Sequence, residues 1–356
     1  MIGEATAEAP PALISPPRLE AWASAILEAA GASGEAATAT AKALIDANQR
    51  GLDSHGVVFL SFYLPRLRAG TTRGDARPEI VNDLPGLSVV DGHDALGPYV
   101  ASFAMQQCCA KAERAGAAVA LVRNSSHFGA ASCYSELAAR RGCVGIVVSN
   151  SDPGMAPAGV HGPVLGTNPI AIAAPPAPGQ PIPSLDIATS VVAQGKIILA
   201  LRAGEDIPEG WAIGRDGAPT SDPGEALAGA VLPMAGHKGF GLAFMVDVLA
   251  GCVAGARISP DIAGDPHAPA PQGIGHCFVA VRVESSSARD EYERLLSRLT
   301  QRVHEAPRAE SAGPLLIPGE REAQLSAERR QWIPLPAATL ELLRGLGDEA
   351  AVPFPL

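Results

Sequence analysis

Between residues 117 and 150 the chain sets two short apolar runs, AAVALVRN and CVGIVVSN, on either side of GAASCYSELAARRG. Short apolar runs rich in β-branched residues and bounded by turn residues read as buried strands. The segment between them spaces its apolar residues as a helix does. NPIAIAAP and PSLDIA read as two further strands. The middle of the chain is therefore an α/β unit, with short strands buried between helices.

Helical patterns flank this unit. Amphipathic spacing predicts helices over 17–30 and 34–50, with Ser33 placed to cap the second. SHGVVFLSFYLPRLRAG reads as a helix stopped by Gly70, LSVVDGH as a strand, and PYVASFAMQQCCAKAERAG as a helix that opens on Pro98 and closes on Gly116. Downstream, GHKGFGLAFMVDVLAG reads as a helix and HCFVAVRV as an alternating strand. DEYERLLSRLTQRVHEA is an exposed amphipathic helix, and PGEREAQLSAERRQW a turn and a final charged helix. Residues 1–16 read as a loose arm, and there are no internal repeats.

Composition narrows the function classes. With 47% hydrophobic and 18% charged residues, the 356-residue chain has ample material for a packed core. A net charge of -10 without a basic stripe argues against nucleic-acid binding, which needs clustered cations. The run from Gly239 to Ala256 approaches membrane-span length. Asp247 at its centre and its several glycines point instead to a buried helix of a soluble core. The six cysteines form no CxxC and read as free thiols, and the N-terminus lacks a basic n-region and an apolar h-region, so a cytoplasmic chain is expected.

Several familiar motifs are absent. There is no GxGxxG after a strand, no Walker A (QGK is followed by Ile197), no GxSxG and no HExxH, and no metal site is expected. The polar motifs that are present are local. GLDSHG places Asp53, Ser54 and His55 at a helix start, where the positive helix end disfavours the imidazolium. At helical spacing His55, Phe59, Phe62, Tyr63 and Arg66 share a face, which lines a pocket unless His55 simply caps the helix. RNSSHFGAA places Asn124, Ser125, Ser126 and His127 between a strand and a helix, either a ligand position or a capping loop. Loops carrying Ser151, Thr167 and Asn168 are rich in Gly and Pro and let backbone approach a ligand. SLDIATS ends a strand with Asp186, Thr189 and Ser190, and MAGHKGFG sets His237 and Lys238 before a helix, suited to a phosphate.

Taken in order, GLDSHGVV…YLPRLRAG, SSHFGAA…ELAARRG, SNSDPGMAPAG…LGTNPIAIAAP, LDIATSVVAQGKI, LPMAGHKGFGLAFMVDVLAG and PGE closely resemble the type-2 malate/L-lactate dehydrogenase family, over roughly residues 20–325. That family includes ureidoglycolate and sulfolactate dehydrogenases, diketogulonate reductase and the piperideine/pyrroline-2-carboxylate reductases. The resemblance implies an α/β fold that is not a Rossmann fold, NAD or NADP as cofactor, and a homodimer. It implies a mainly helical domain from 17–115 with 232–356 and an inserted α/β cofactor domain over 116–231.

The resemblance also implies residue roles. His55 is the acid/base histidine, and His127 matches the one assigned as proton acceptor in some members. Ser54, Phe59, Tyr63, Thr167 and Asn168 fall on the substrate side. Ser151, Asp186, Ile187, Ala188, His237, Lys238, Pro318, Gly319 and Glu320 fall on the cofactor side. Many members carry Arg four residues after the DSHG histidine, where this chain has Phe59, and Trp where it has Ala158. An aromatic ring cannot hold a carboxylate bidentately as a guanidinium does. The expected activity is hydride exchange with a small 2-keto or 2-hydroxy acid, with cyclic imine reduction as the alternative. A non-catalytic ligand-binding relative fits poorly with the presence of His55, His127, Asp186 and Lys238.

Overall fold

The computed structural model describes residues 11–309, 311 and 313–355. Its centre is a seven-stranded mixed sheet. In spatial order the strands are Glu79–Leu84, Leu87–Asp91, Ala117–Ser125, Ile274–Arg282, Cys143–Ser149, Ile170–Ala173 and Ser184–Ile187. Leu87–Asp91 and Ala117–Ser125 run parallel, joined by the crossover helix Gly97–Ala115, and the other neighbours are antiparallel. The two strands read from the middle of the sequence are not adjacent. Ile274–Arg282 lies between them, pairing Phe278 with Ala120 on one side and with Val147 on the other.

Helices Gly97–Ala115 and Ser132–Arg140 pack on this sheet. Val100, Ala104, Met105 and Cys108 meet Val90, Ala120, Val122 and Phe278 in one buried cluster. The small side chains on the helix let its backbone come close to the strands. Gly116 closes it at φ 84, as the sequence predicts for a glycine stop.

A second cluster unites the two ends of the chain. Leu19, Trp22, Ile26 and Leu44 pack with Leu60 and Leu64, and with Ile333, Leu335 and Leu343 from the far end. The expected loose arm is corrected here: residues 1–10 lie outside the described part, but Ala12–Ile14 is a strand paired antiparallel with Ile333–Leu335, and Pro16 opens the first helix. Ser33 accepts the amide of Ala36 at 3.3 Å, the predicted cap. The chain also continues past the charged helix into a further helix, Ala337–Glu349, that the sequence reading did not contain.

The division into 17–115 with 232–356 and an inserted 116–231 does not follow the sheet. Strands from both proposed flanks complete the sheet of the middle segment. The apolar run after Gly239 is also corrected. It forms helix His237–Asp247 and a π-helical continuation Val248–Val253, but it is only half covered. Leu242, Phe244, Met245, Leu249 and Val253 are 42%, 54%, 53%, 41% and 57% exposed. Among the described residues no helix is long and apolar enough to cross a membrane.

Candidate active site

The DSHG segment does not start a continuous helix. It forms a 3-10 turn at Asp53–His55, a second at Val57–Phe59, and only then helix Leu60–Arg68. Asn48 dictates this break. Its Nδ2 donates to Asp53 Oδ1 at 2.7 Å, and its Oδ1 accepts the amide of Val57 at 2.8 Å. Gly56 runs so close that a Cβ there would sit 2.2 Å from Asn48 Oδ1. From the C-terminal side, Arg329 donates to both Asp53 oxygens at 2.8 and 3.0 Å.

The turn holds His55 with Nδ1 3.0 Å from Ser54 Oγ. Burial pushes its imidazole below the ordinary 6.5, opposed by the negative charge of Asp186. The base form is thus favoured by desolvation, not by the helix end that the sequence suggests.

His127 sits just past the end of strand Ala117–Ser125, and its ring centre lies 6.1 Å from that of His55. Phe59 stacks on it face to face at 4.2 Å and 3°. Tyr63 Oη lies 3.0 Å from its Nδ1, and the His127 amide donates to Gln272 Oε1 at 3.0 Å. Burial, with His55 and His276 nearby, lowers the His127 pKa to about 3. Ser54, His55, Phe59, Tyr63 and His127 therefore meet at one place, with the charge of Asp186 reaching His55.

Asp186 is anchored by the amide of Ser132, donated at 2.8 Å from the start of helix Ser132–Arg140. Its strand end gathers the other cofactor-side segments. Ser184 donates its amide to Pro318 O at 3.0 Å, and Gly319, at φ 93, leaves no room for a Cβ beside Ile182 O at 2.5 Å. Thr189 O accepts the amide of Met234, and a Cβ on Gly239 would lie 2.6 Å from that oxygen. The helix bearing exposed His237 and Lys238 thus begins against residues 186–189. Thr167 O takes both the amide and the hydroxyl of Thr189 at 2.9 Å.

The description for malate/L-lactate dehydrogenase fits residues 14–344 of this chain. The chain belongs to that family. The malate/(S)-sulfolactate dehydrogenase of Methanothermus fervidus is 33% identical over 339 residues, 95% of this chain and 98% of that protein. The delta(1)-pyrroline-2-carboxylate reductase of Ancylobacter novellus is 34% identical, covering 91% and 94% of the two chains. The sulfolactate dehydrogenase structure from Methanocaldococcus jannaschii superposes with a TM-score of 0.88 at 34% identity, over 96% of this chain and 98% of that one. The protein is accordingly an oxidoreductase with the fold of the malate/L-lactate dehydrogenase family.

Within this family member some residues expected at the site are scaffold. Asn168 is fully buried at φ 26; its Oδ1 accepts the amide of Ser151 at 3.0 Å and its Nδ2 donates to Ala243 O at 2.9 Å. Each amide end holds a partner, so Asn168 shapes the loop, with Ser151 as its backbone partner. Glu320 is likewise held within its own turn, accepting the amide of Ile317 at 2.9 Å and pairing with His304 at 3.0 Å.

The guanidinium that would replace the one missing at Phe59 is not Arg66 or Arg123. Arg66 is fully buried and donates to Asp265 O and Ala270 O, each at 2.8 Å, while Arg123 pairs with Asp91 at 3.1 Å. Arg66 thereby pins the segment that carries Gln272, a site neighbour with no sequence signal of its own. Ala158 is exposed.

His276 is a second residue the sequence reading passed over, because it sits in an ordinary alternating strand. It is fully buried, with Nδ1 2.8 Å from Ser149 Oγ and Nε2 2.9 Å from Ser125 Oγ. Phe128 stacks on it at 4.5 Å and 2°. Burial lowers its pKa to about 3 from an ordinary 6.5.

The sign of the resulting pH dependence follows from linkage. Above pH 6.5 neither the folded nor the unfolded state binds the proton. Below it the unfolded chain does and the fold does not, so stability falls as pH drops toward 3. At pH 5 this one residue costs about 2 kcal/mol relative to pH 8. His276→Asn should remove about that much of the pH dependence of unfolding, read by denaturant melts at both pH values. An unchanged dependence would show that the ring is not held neutral.

Proposed function

We propose that this oxidoreductase passes a hydride between a nicotinamide cofactor, NAD or NADP, and C2 of a small 2-keto or 2-hydroxy acid. The observation that carries this reading is the pairing of His55 with His127, ring centres 6.1 Å apart, beside the charge of Asp186 in a chain of this family. Related dehydrogenases are named for NADP(+) and for NAD(+). The site fits such a cofactor. The buried hydroxyl of Ser132, whose amide anchors Asp186, has no hydrogen-bond partner among the described residues, and His237 and Lys238 stand exposed where their helix begins against residues 186–189, placed for a phosphate. When bound, the nicotinamide supplies the hydride chemistry.

His55 manages the proton. In oxidation its neutral ring takes the hydroxyl proton; in reduction it returns one to the new alkoxide. Ser54 steadies its Nδ1, leaving Nε2 for substrate. Residues 186–188, 237–238 and 318–319 border the cofactor, while Phe59, Tyr63 and Thr167 border the substrate. The test is a panel assay: NADH and NADPH oxidation with pyruvate, oxaloacetate, longer 2-keto acids and cyclic imine acids. Turnover of at least one 2-keto acid is expected, and its absence across the panel would defeat this reading. Cyclic imine reduction is the second reading, favoured by Phe59 standing flat on His127 where a carboxylate clamp is missing.

The same reading includes a cytoplasmic homodimer. Leu242, Met245, Leu249 and Val253 form one exposed apolar stripe along the helix and its π-helical continuation, which a second copy of the chain would cover. The free thiols suit a reducing compartment. Sedimentation at micromolar concentration should give a dimer, and Met245→Glu should shift it to monomer. A parent that sediments as a fully active monomer would exclude the assembly.

A further inference from the structure

The edge of His127 that faces the protein determines what its other edge can do. The amide of Gly129 donates to His127 Nδ1 at 3.3 Å, and Tyr63 Oη lies 3.0 Å from the same atom. A backbone N–H only donates, so Nδ1 carries no proton. Tyr63 must therefore also present its O–H there, and the one proton of the neutral ring lies on Nε2. That nitrogen has no protein partner among the described residues.

The surroundings hold this tautomer firmly. Tyr63 is 1% exposed, and burial pushes its phenol above the ordinary 10, so it keeps the proton it donates. Phe59 covers one face of the ring in parallel at 4.2 Å, Phe62 approaches edge-on at 6.0 Å, and Gln272 fixes the His127 amide. A ring acting as proton acceptor at Nε2 would have to carry its own proton on Nδ1, against the Gly129 N–H.

We infer that His127 is a fixed N–H donor to the reacting oxygen of the substrate, and that Tyr63 is the positioning residue that, together with the Gly129 N–H, holds its tautomer. Of the two histidines, His55 is then the one that exchanges a proton. This rests on the hydride-transfer reading above. In reduction the hydride from the nicotinamide cofactor brings both electrons of the new C2–H bond, and the C=O π pair moves onto oxygen. His127 Nε2–H hydrogen-bonds that oxygen as its charge grows, and His55 gives up the proton that forms O–H, ending neutral. His127 ends as it began. The two rings are neighbours, with centres 6.1 Å apart, and a donor aimed at the developing oxyanion is what such a reaction needs.

The test begins with the protein free of substrate. Imidazole ¹⁵N NMR should find His127 Nδ1 unprotonated and Nε2 protonated from pH 8 to pH 5. In Tyr63→Phe, which keeps the ring packing, an Nδ1-protonated population should appear, with kcat reduced about tenfold and cofactor KM unchanged. His127→Gln places an amide N–H near the Nε2 position and should keep kcat within about tenfold of the parent, whereas His127→Ala should lose about 10²–10³-fold, the range for removing one oxyanion donor. A protonated Nδ1 in the parent, or equal losses in the Gln and Ala variants, would overturn the donor role alone. A parent without turnover on any 2-keto acid or cyclic imine would overturn it together with the hydride-transfer reading, while the NMR tautomer would be read regardless.

Discussion

His55→Asn should lower kcat by about 10²–10⁴-fold, the usual cost of removing a general acid–base, while NADH or NADPH binds as tightly as in the parent. The two effects separate because His55 stands with Ser54 on the 3-10 turn Asp53–His55, whereas the residues proposed for the cofactor stand at the ends of other elements. Burial lowers the His55 pKa, and that predicts the pH profile as well. Oxidation of a 2-hydroxy acid needs the neutral ring, so the acid limb of its kcat/KM profile should fall at a lower pH than an ordinary histidine would set. Steady-state rates between pH 5 and 9, with cofactor fluorescence titration of the variant, check both statements. A His55→Asn enzyme close to parental kcat would reduce His55 to a turn residue.

The second large effect is expected at Phe59. The ring lies parallel to His127 at 4.2 Å and 5.6 Å from the centre of His55, so it forms the wall between the helix Leu60–Arg68 and both histidines. Phe59→Arg puts a guanidinium at that wall. A hydrogen bond to a charged partner is worth about 1.5–3 kcal/mol, so kcat/KM for pyruvate and oxaloacetate should rise about 10–100-fold. Phe59 in place of a guanidinium suits a substrate that is bulkier or less dependent on a carboxylate clamp, and activity on such a native substrate should fall. The cation would also disfavour imidazolium on His55 further, moving the acid limb of the profile to lower pH. Arg66 and Arg123 are already committed to Asp265 O, Ala270 O and Asp91, so neither supplies a substitute clamp. If the parent reduces pyruvate or oxaloacetate with kcat/KM of about 10⁴ M⁻¹s⁻¹ or more, and Phe59→Arg adds nothing, the specificity argument fails.

Local features were readable from sequence where one segment decides its own structure. The strands Ala117–Ser125 and Cys143–Ser149, the helix closed by Gly116 and the Ser33 cap all depend on neighbouring residues. The order of the sheet was not readable, because the placement of Ile274–Arg282 between those strands is set by packing across more than a hundred positions. The same holds for Ala12–Ile14, which forms a strand only against Ile333–Leu335. At the site, the motifs named His55 and His127, and helical spacing named Phe59, Phe62 and Tyr63 beside them, but Asn48, Gln272 and His276 carried no signal. Asn48 breaks the expected helix at Gly56, and Asn168, a polar residue in a Gly- and Pro-rich loop, turns inward to Ser151 and Ala243. A sequence cannot distinguish an asparagine aimed at ligand from one aimed at backbone.

The central claim is that a hydride moves directly from the nicotinamide to C2 of the substrate with His55 handling the proton. It is tested by running the parent with NADH or NADPH deuterated at C4 and a 2-keto acid that turns over in the panel, then reading the product by mass spectrometry and NMR. The account predicts one deuterium at C2 when one of the two C4 positions carries the label, none when the other does, and none acquired there from D₂O. Deuterium at C2 drawn from solvent, or product formed without transfer of label from either C4 position, would contradict it.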